Sequence, residues 1–297
     1  MPTLEALRHT LAVVEELRSI VHTMKVLAAA SIRQYDQAVS ALADYDRAVR
    51  RGLAVVLGES NGEAAKAEFA SAKRNQSLTG VLVFGSDHGL CGRFNEVLAA
   101  QVRETLQALP LSNHRVVAVG LRQAAALEEQ GLSPEQQFPT PGAASAIHHT
   151  VRQLLPVLEQ WQAVDATEVR LFHNRHRGGN SHEPTSFALL PLDSTVWSRE
   201  PPSVSHSLPG YAADRADLLA ALLREWFFVE LFRACAESLA SEHASRLLAM
   251  QTAERNIEER LADLNILYRQ QRQEAITAEL LDVVAGFEAL VGSRVNG

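Results

Sequence analysis

Apolar and small residues recur at alternating steps of three and four through the first 58 positions of the chain. No proline occurs after Pro2 in this stretch, and its first glycine is Gly52. The repeat defines a seam, which consists of Leu4, Leu7, Leu11, Val14, Arg18, Val21, Lys25, Ala28, Ile32, Tyr35, Val39, Leu42, Asp46, Val49, Leu53 and Val56. Only Arg18, Lys25 and Asp46 are neither apolar nor small. Such a seam predicts one long helix that packs against a partner helix as in a coiled coil.

A second proline-free stretch covers about residues 211–291. Its apolar stripe comprises Leu219, Leu222, Trp226, Val229, Leu247, Met250, Ile257, Leu261, Leu264 and Tyr268. A continuous helix of this length would extend about 120 Å, at about 1.5 Å per residue. Because neither long helix can bury its stripe alone, the two ends of the chain are predicted to pair as an antiparallel coiled coil. The longer C-terminal helix should extend beyond its partner.

The middle of the chain has a different pattern, in which short apolar runs alternate with amphipathic segments. Strands are predicted over residues 80–84, 116–120, 168–173 and 186–192, and helices over 94–109, 121–130 and from Gly142 to Trp161. The βαβα order predicts a small, Rossmann-like α/β domain with a parallel sheet. Residues 59–78 should form a loop or a broken helix, and the proline-rich residues 200–209 a linker. The predicted organisation is α/β, with helices at 1–58 and 211–297 and the inserted domain at 59–210.

Composition narrows the choice of partners. The chain is 46% hydrophobic and 21% charged, and no apolar run reaches the ~18 residues of a membrane span. The first residues lack the basic start and apolar block of a secretory signal. A net charge of −7 argues against nucleic acid as a partner. Cys91 and Cys235 match no metal-ligand spacing and are expected to be reduced thiols.

A glycine-rich turn at residues 85–92 follows a predicted strand and precedes a predicted helix, where an α/β fold could bind a phosphate. Its spacing is neither G-x-G-x-x-G nor the P-loop, and it has no P-loop lysine. A structural turn is therefore the favoured interpretation. Cys91 near His88 is interpreted as a packed residue, because no third group is apparent that would orient a nucleophile.

Three histidines, His173, His176 and His182, form the only group that suggests a metal. Their spacing matches no common zinc site, and the neighbouring arginines would repel a cation, so a solvated hairpin loop is favoured. His148 and His149 are expected at the surface. Glu254, Glu258 and Glu259 are expected on a solvated helix face. No catalytic residue, cofactor site or metal site is predicted.

Three separated blocks carry a family resemblance. SDHGLCGRFN at residues 86–95 is similar to SDRGLCGGFN, an internal block of F-type ATP synthase gamma subunits. The string from SEHASR at residue 241 to the ITAEL that ends at residue 280 resembles the C-terminal signature of the same family. Met24, Lys25, the alanines at 28–30 and Arg33 resemble its opening helix. The chain therefore resembles a divergent bacterial branch of this family over nearly its whole length.

The resemblance implies a rotor shaft without catalytic activity or cofactor. Its expected partners are the alpha and beta subunits of the α3β3 head, the epsilon subunit and the membrane c-ring. It would lie at the cytoplasmic face of the bacterial inner membrane, held through the complex. Residues that match the family's contacts to other subunits are Met24, Lys25, Arg272, Gln273, Thr277 and Glu279. Proton or sodium coupling, synthesis or hydrolysis as the main direction, and the ring size stay open.

Two other classes of protein are alternatives. One is an α/β enzyme that binds a nucleotide at the glycine-rich turn, and it would require tight nucleotide binding by the isolated chain. The other is a coiled-coil scaffold unrelated to rotary ATPases, which should not co-purify with ATPase subunits. Neither alternative accounts for three family-like blocks in the right order.

Overall fold

The computed structural model describes residues 3–58, 78–109, 113–163, 166–176, 182–191, 211–212 and 214–295. The predicted loop after residue 58 and the predicted proline-rich linker at 200–209 lie outside the described residues. Six α-helices and five strands occur in the described part. The helices are α1 (Leu4–Ala41), α2 (Ala43–Gly58), α3 (Phe94–Ala108), α4 (Leu121–Glu129), α5 (Ile147–Ala163) and α6 (Arg215–Val295). The strands are β1 (Leu78–Phe84), β2 (Asn113–Val119), β3 (Gln136–Phe138), β4 (Ala166–His176) and β5 (His182–Leu190).

The two terminal helical segments follow the predicted seams. Of the 16 seam positions between Leu4 and Val56, only Arg18 is exposed. The prediction of one uninterrupted N-terminal helix is wrong at a single point, because Leu42 forms a turn between α1 and α2. Its N–H bonds to the carbonyl of Val39, three residues back, instead of four. Helix α6 is continuous over 81 residues, as predicted.

The chain divides into two compact units, and both contain parts of α1 and α6. The first unit comprises Met1–Leu27 and Ala249–Gly297. Within it, Arg18 pairs with Glu258, and Lys25 pairs with Glu254, so the two helices run in opposite directions. The second unit comprises Ala28–Leu248 and contains the sheet. The boundaries at residues 58 and 210 that the sequence suggests for an inserted domain stay a prediction.

The sheet has five strands in the order β3-β2-β1-β4-β5. Strands β1, β2, β3 and β4 pair in parallel, which agrees with the predicted βαβα alternation. Strand β5 pairs with β4 in the antiparallel direction, so the sheet is mixed and not wholly parallel. Strand β3 was not predicted, because its three residues are too short for a periodic signal.

Both faces of the sheet are covered by helices. On one face, Val81 and Val83 pack in a cluster with Leu98 of α3 and Leu127 of α4. On the other face, the neighbouring side chains of β1 belong to a second cluster, which includes residues of α2, α5 and α6. Because successive strand residues point to opposite faces, a strand that is covered on both sides reads as a continuous apolar run. The sequence of β1, Leu-Thr-Gly-Val-Leu-Val-Phe, has that character.

Candidate functional site

The β1–α3 turn (residues 85–92) is bound to helix α6 by hydrogen bonds. Arg246 donates from its guanidinium to the carbonyl of Gly89 at 3.3 Å, and the Ser245 hydroxyl donates to the carbonyl of Cys91 at 2.6 Å. Both donors belong to the SEHASR block, and both acceptors to the SDHGLCGRFN block. Two of the three family-like blocks are therefore joined directly in the structure.

Asp87 of the same turn occupies the position at which a helix would bind an anion. Its carboxylate accepts hydrogen bonds of 2.8 Å from the backbone N–H of Leu121, which opens α4, and from the N–H of Thr140. A helix N-terminus favours negative charge, whether it comes from a phosphate or from a side chain. An internal carboxylate fills that role here. Asp87 thereby gives the turn a structural role, since it joins the turn to the start of α4.

Glu242 and Arg246 form a buried ion pair one helical turn apart on α6, at 2.7 Å. Burial raises the pKa of Glu242, and the guanidinium of Arg246 opposes that rise. The ring of His243 stacks on Tyr35 with centroids 5.5 Å apart. Burial, with a smaller contribution from the charge of Arg246, lowers the pKa of His243 to about 4. These contacts hold α6 against α1 and against the β1–α3 turn.

The predicted solvated loop of histidines is wrong. His173 and His176 lie in β4 and His182 in β5, because the β4–β5 hairpin extends further than the apolar pattern indicates. His173 is buried, and its Nε2 lies 2.9 Å from Glu237. Burial acts to raise the pKa of Glu237, but hydrogen bonds from His173 and Arg175 lower it to about 2. Because residues two apart share a strand face, His173 faces away from His176.

The two cysteines are packed core residues. Cys91 and Cys235 are both buried, and burial raises the pKa of each thiol. A raised pKa keeps the thiols protonated and therefore poorly nucleophilic. The prediction that Cys91 is a small packed residue is confirmed. His148 and His149 are exposed, as predicted.

All three charged positions of the seam have partners of opposite charge on α6. Arg18 lies 3.4 Å from Glu258, Lys25 pairs with Glu254, and Asp46 lies 2.6 Å from Arg233. Glu254 also accepts from His22 at 3.3 Å. The predicted solvated face is therefore wrong for Glu254, which bridges two helices. The sequence marks the seam but does not identify which distant residues complete it.

Asp46 belongs to a network of four charges in the second unit that was not predicted. Arg50 bonds to Asp46 at 2.7 Å and to Glu230 at 2.6 Å, and Arg233 bonds to both carboxylates. Arg50 and Glu230 are 180 positions apart in the chain. The only sequence signal for the network is Asp46 itself, an acidic residue in an apolar seam.

Helix α1 also carries a second row of apolar residues, which the structure leaves largely uncovered. We call this the outer stripe, and it consists of Val13, Leu17, Ile20, Met24 and Leu27. The steps of four and three are those of one helix face. Its four residues other than Met24 are exposed, and Met24 is half-buried. The neighbouring Lys25 lies in the seam and is paired in the chain, so two adjacent candidate contacts differ in character.

The four C-terminal candidate residues lie together on one exposed stretch of α6. We call residues 272–285 the tip, and every residue in it is exposed. Arg272 has no ion-pair partner among the described residues, and the Thr277 hydroxyl donates back to the carbonyl of Gln273 at 2.9 Å. The large apolar residues of the tip are Ile276, Leu280, Leu281, Val283 and Val284. They are between 49% and 66% exposed. Exposed apolar side chains in this number are typical of a surface that binds a partner.

The charged side chains that line one further cavity are already paired within the chain. A cavity of about 440 Å³ lies between β5 and α6 in the second unit. The arginines that line it, Arg50, Arg175 and Arg233, are all bonded to carboxylates. No group of three or more His, Cys, Asp or Glu residues in the described part of the chain could hold a metal ion. None of the described helices is both long and apolar enough to span a bilayer.

Solved structures with a similar fold are rotor parts of mitochondrial ATP synthases. The rotor of the Euglena gracilis enzyme aligns with a TM-score of 0.60 at 18% identity, over 92% of this chain and 98% of that one. The central stalk and c-ring structure from Tetrahymena thermophila aligns with a TM-score of 0.54 at 17% identity, over 79% and 99% of the two chains. At this identity the likeness concerns the fold alone.

The amino-acid sequence is similar to those of ATP synthase gamma chains from several bacteria. The chain is 28% identical over 292 residues to the ATP synthase gamma chain of Anaeromyxobacter sp. (strain Fw109-5), with 98% of this chain and 100% of the relative covered. It is 29% identical to the ATP synthase gamma chain of Fuscovulum blasticum, with the same coverage of both chains. A family model described as ATP synthase matches residues 3–290. With nearly its full length matched, this chain belongs to the ATP synthase family in which its relatives bear the name gamma chain.

Proposed function

We propose that this chain is the gamma subunit of a bacterial F-type ATP synthase, where it forms the central stalk. It transmits torque between an ion-driven membrane ring and the catalytic α3β3 head and carries out no chemistry itself. Its partners are the alpha, beta and epsilon subunits and the c-ring. The membership of the chain in the ATP synthase family supports this role. The absence of any span in the described helices is compatible with attachment through the ring at the cytoplasmic face of the inner membrane.

The strongest structural support for this role is the exposure of the tip. Helix α6 is covered by its own chain as far as Leu264, and from residue 272 to 285 every residue is exposed. A lone helix cannot bury its own apolar side chains. Without a partner, the apolar surface of the tip therefore stays in contact with water, which is unfavourable in free energy. A head that surrounds the tip would remove that surface from water.

Torque transfer needs a shaft whose sides differ. In the first unit, the outer stripe lies on one face of α1, while the seam on another face is closed by α6 and by ion pairs. Three identical partners around such a shaft would meet different surfaces at any moment. A ligand shifts a conformational equilibrium only through its different affinity for the two states. Different shaft faces would in this way favour different conformations of each beta subunit.

We assign the contacts to the head as follows. Met24 lies on the outer stripe and offers a flexible apolar side chain to a moving partner. Arg272 and Gln273 stand at the base of the tip, followed by Thr277 and Glu279, and all four are exposed. Lys25 is a weaker contact, because its ammonium is already bonded to Glu254 and a partner carboxylate would have to share it.

The assignment is tested by exchanging Arg272 and Gln273 together for alanine in the assembled enzyme. We expect ATP synthesis driven by an ion gradient to fall at least about tenfold, which corresponds to about 1.4 kcal/mol of coupling free energy. The matched control is Arg152→Ala with Gln153→Ala, an exposed Arg-Gln pair on α5. The control should retain synthesis close to that of the wild type.

Two results would contradict the proposal at different levels. Wild-type synthesis by the Arg272→Ala, Gln273→Ala variant would refute the contact assignment but leave the stalk role intact. Failure of the wild-type chain to restore synthesis in a complex that lacks its own gamma subunit, with the cognate head and ring present, would refute the stalk role. The second outcome is the one expected of an unrelated coiled-coil scaffold.

A further inference from the structure

The far end of the β4–β5 hairpin places three polar side chains on one face of the sheet without bonding all of their polar atoms. Strand residues two apart share a face, so Asn174 and His176 lie on the same side. His176 is the register partner of His182 across the strands, which adds the second imidazole to that side. Directly opposed residues of antiparallel strands have their Cβ atoms about 5 Å apart.

Two contacts with Phe94 fix the positions of these side chains. The amide of Asn174 donates to the carbonyl of Phe94 at 3.0 Å, and the ring of His182 lies 5.4 Å from the ring of Phe94. Phe94 is fully buried at the start of α3. Phe94 therefore contacts both Asn174 on β4 and His182 on β5.

Two buried polar atoms in this group have no partner in the described part of the chain, namely Oδ1 of Asn174 and Nδ1 of His176. Asn174 is completely buried, and its amide nitrogen donates to the carbonyl of Phe94, which leaves its amide oxygen as a free acceptor. Leaving a buried polar atom without a partner costs about 1–3 kcal/mol. Two such atoms beside a second imidazole indicate that something outside the chain bonds to them.

We propose that His176 and His182, with the side-chain amide oxygen of Asn174, bind one divalent transition-metal ion. Zn²⁺ is the ion used to test this. Imidazole nitrogen is a preferred ligand of zinc and copper, and the amide oxygen and water complete the coordination. Neutral imidazole is the form that binds a metal.

The described arginine nearest to the group in sequence does not share its face of the sheet. Arg175, the nearest described arginine in sequence, points to the opposite face of β4, where it bonds to Glu237 at 2.9 Å. His173 points to that opposite face as well, so it is not a ligand of this site. The site therefore uses two of the three histidines that stand close together in the sequence. It is independent of the stalk function.

The test is calorimetric titration of the full chain, freed of metal by a chelator, with Zn²⁺ at pH 7.5. We expect one ion per chain, and we expect His176→Ala and His182→Ala each to weaken its binding by at least about tenfold, since loss of even an outer-shell partner commonly costs that much. The matched control removes His148 and His149, an exposed pair on α5, and should leave binding of the first ion unchanged.

A second measurement covers the case in which an alanine variant unfolds. Cu²⁺ bound to the wild-type chain should give an electron paramagnetic resonance spectrum with coupling to two imidazole nitrogens, and His182→Gln should reduce this to one. The proposal is overturned if the wild-type chain binds no ion. It is equally overturned if the control loses binding while the His176 and His182 variants retain it, or if the copper spectrum is the same in His182→Gln.

Discussion

Two stretches of the single helix α6 have opposite surroundings. Between Trp226 and Arg246, most side chains are buried, and Val229, Leu231 and Ala236 have no exposed surface. In the tip every residue is exposed, although Leu280, Leu281 and Val284 are as apolar as those of the first stretch. Both stretches are helical, so helix propensity does not distinguish them. The first is fixed by the fold of its own chain, and the second is left for other subunits to cover.

The largest expected difference concerns two arginines, one in each stretch. Arg246→Ala leaves Glu242 buried without its ion-pair partner, and it also removes the hydrogen bond to the β1–α3 turn. Breaking a buried pair in this way costs about 3–5 kcal/mol of the free energy of unfolding. Arg272→Ala, on the exposed tip, should change that free energy by less than about 0.5 kcal/mol. Urea unfolding of the isolated chain measures both.

Equal losses from the two substitutions would mean that the tip is covered within the chain or that the Glu242–Arg246 pair is open to water. A large loss for Arg246→Ala that is recovered in Arg246→Ala, Glu242→Gln would show that the buried charge of Glu242 causes it, because removing that charge removes the reason for the loss.

The second prediction uses the pH dependence that burial confers on the first stretch. His243 has a pKa of about 4 in the folded chain and an ordinary value of 6.5 when unfolded. The unfolded chain therefore takes up a proton as the pH falls below about 6.5 while the folded chain does not, so stability is lost between pH 6.5 and 4. Between pH 7 and pH 5, this group lowers the free energy of unfolding by about 2 kcal/mol.

His243→Asn should remove that contribution. The free energy of unfolding of the variant, measured at pH 7, 6 and 5, should fall less steeply than that of the wild type. The same slope in both proteins would show that the folded chain protonates this ring. Loss of the ring contact with Tyr35 lowers the stability of the variant at every pH and does not affect the difference in slope.

The smallest effect is expected in the first unit, where Lys25 and Glu254 are partly exposed. Lys25→Met and Glu254→Gln should each lower stability slightly, and the double variant should lose less than the sum of the two. Because salt screens such pairs, the coupling should shrink as NaCl is raised. Asp44 and Arg47, a more exposed pair within α2, serve as the control, and the cycle of Asp44→Asn and Arg47→Met should show no measurable coupling. Coupling that does not respond to salt would indicate a pair closed off from water.

The terminal helices could be predicted from the sequence because a coiled-coil seam repeats over many turns. Each additional turn that fits the pattern makes the assignment firmer, and the 81-residue helix α6 is the strongest example. The interruption at Leu42 could not be predicted, because leucine favours helix and nothing in its neighbours ends one. The parallel strands β1 and β2 were found because both of their faces are buried, which makes them continuous apolar runs.

The extent of the β4–β5 hairpin and the contacts of its histidines could not be predicted from the sequence pattern. The final residues of β4 are polar, and several of them bond to other elements: His173 and Arg175 bond to Glu237 of α6, and Asn174 bonds to the carbonyl of Phe94 in α3. A polar run of this kind reads as a loop. The partner of His173, Glu237, is 64 residues away, and no local signal connects them. The same holds for the charge network around Asp46. The assignment of Met24, Arg272 and Gln273 as contacts came from the family resemblance alone, and it stays a prediction.

The exposure of the tip and its proposed coverage by the head are tested most directly by thiol labelling. Both native cysteines are buried, so a cysteine introduced at Leu280 is the reactive thiol, and Leu121→Cys on α4 is the matched control with nearly the same exposure. In the isolated chain, both variants should react rapidly with a maleimide. In the complex with the α3β3 head, Leu280→Cys should become protected while Leu121→Cys stays reactive. Equal reactivity of Leu280→Cys in the two states would contradict the account.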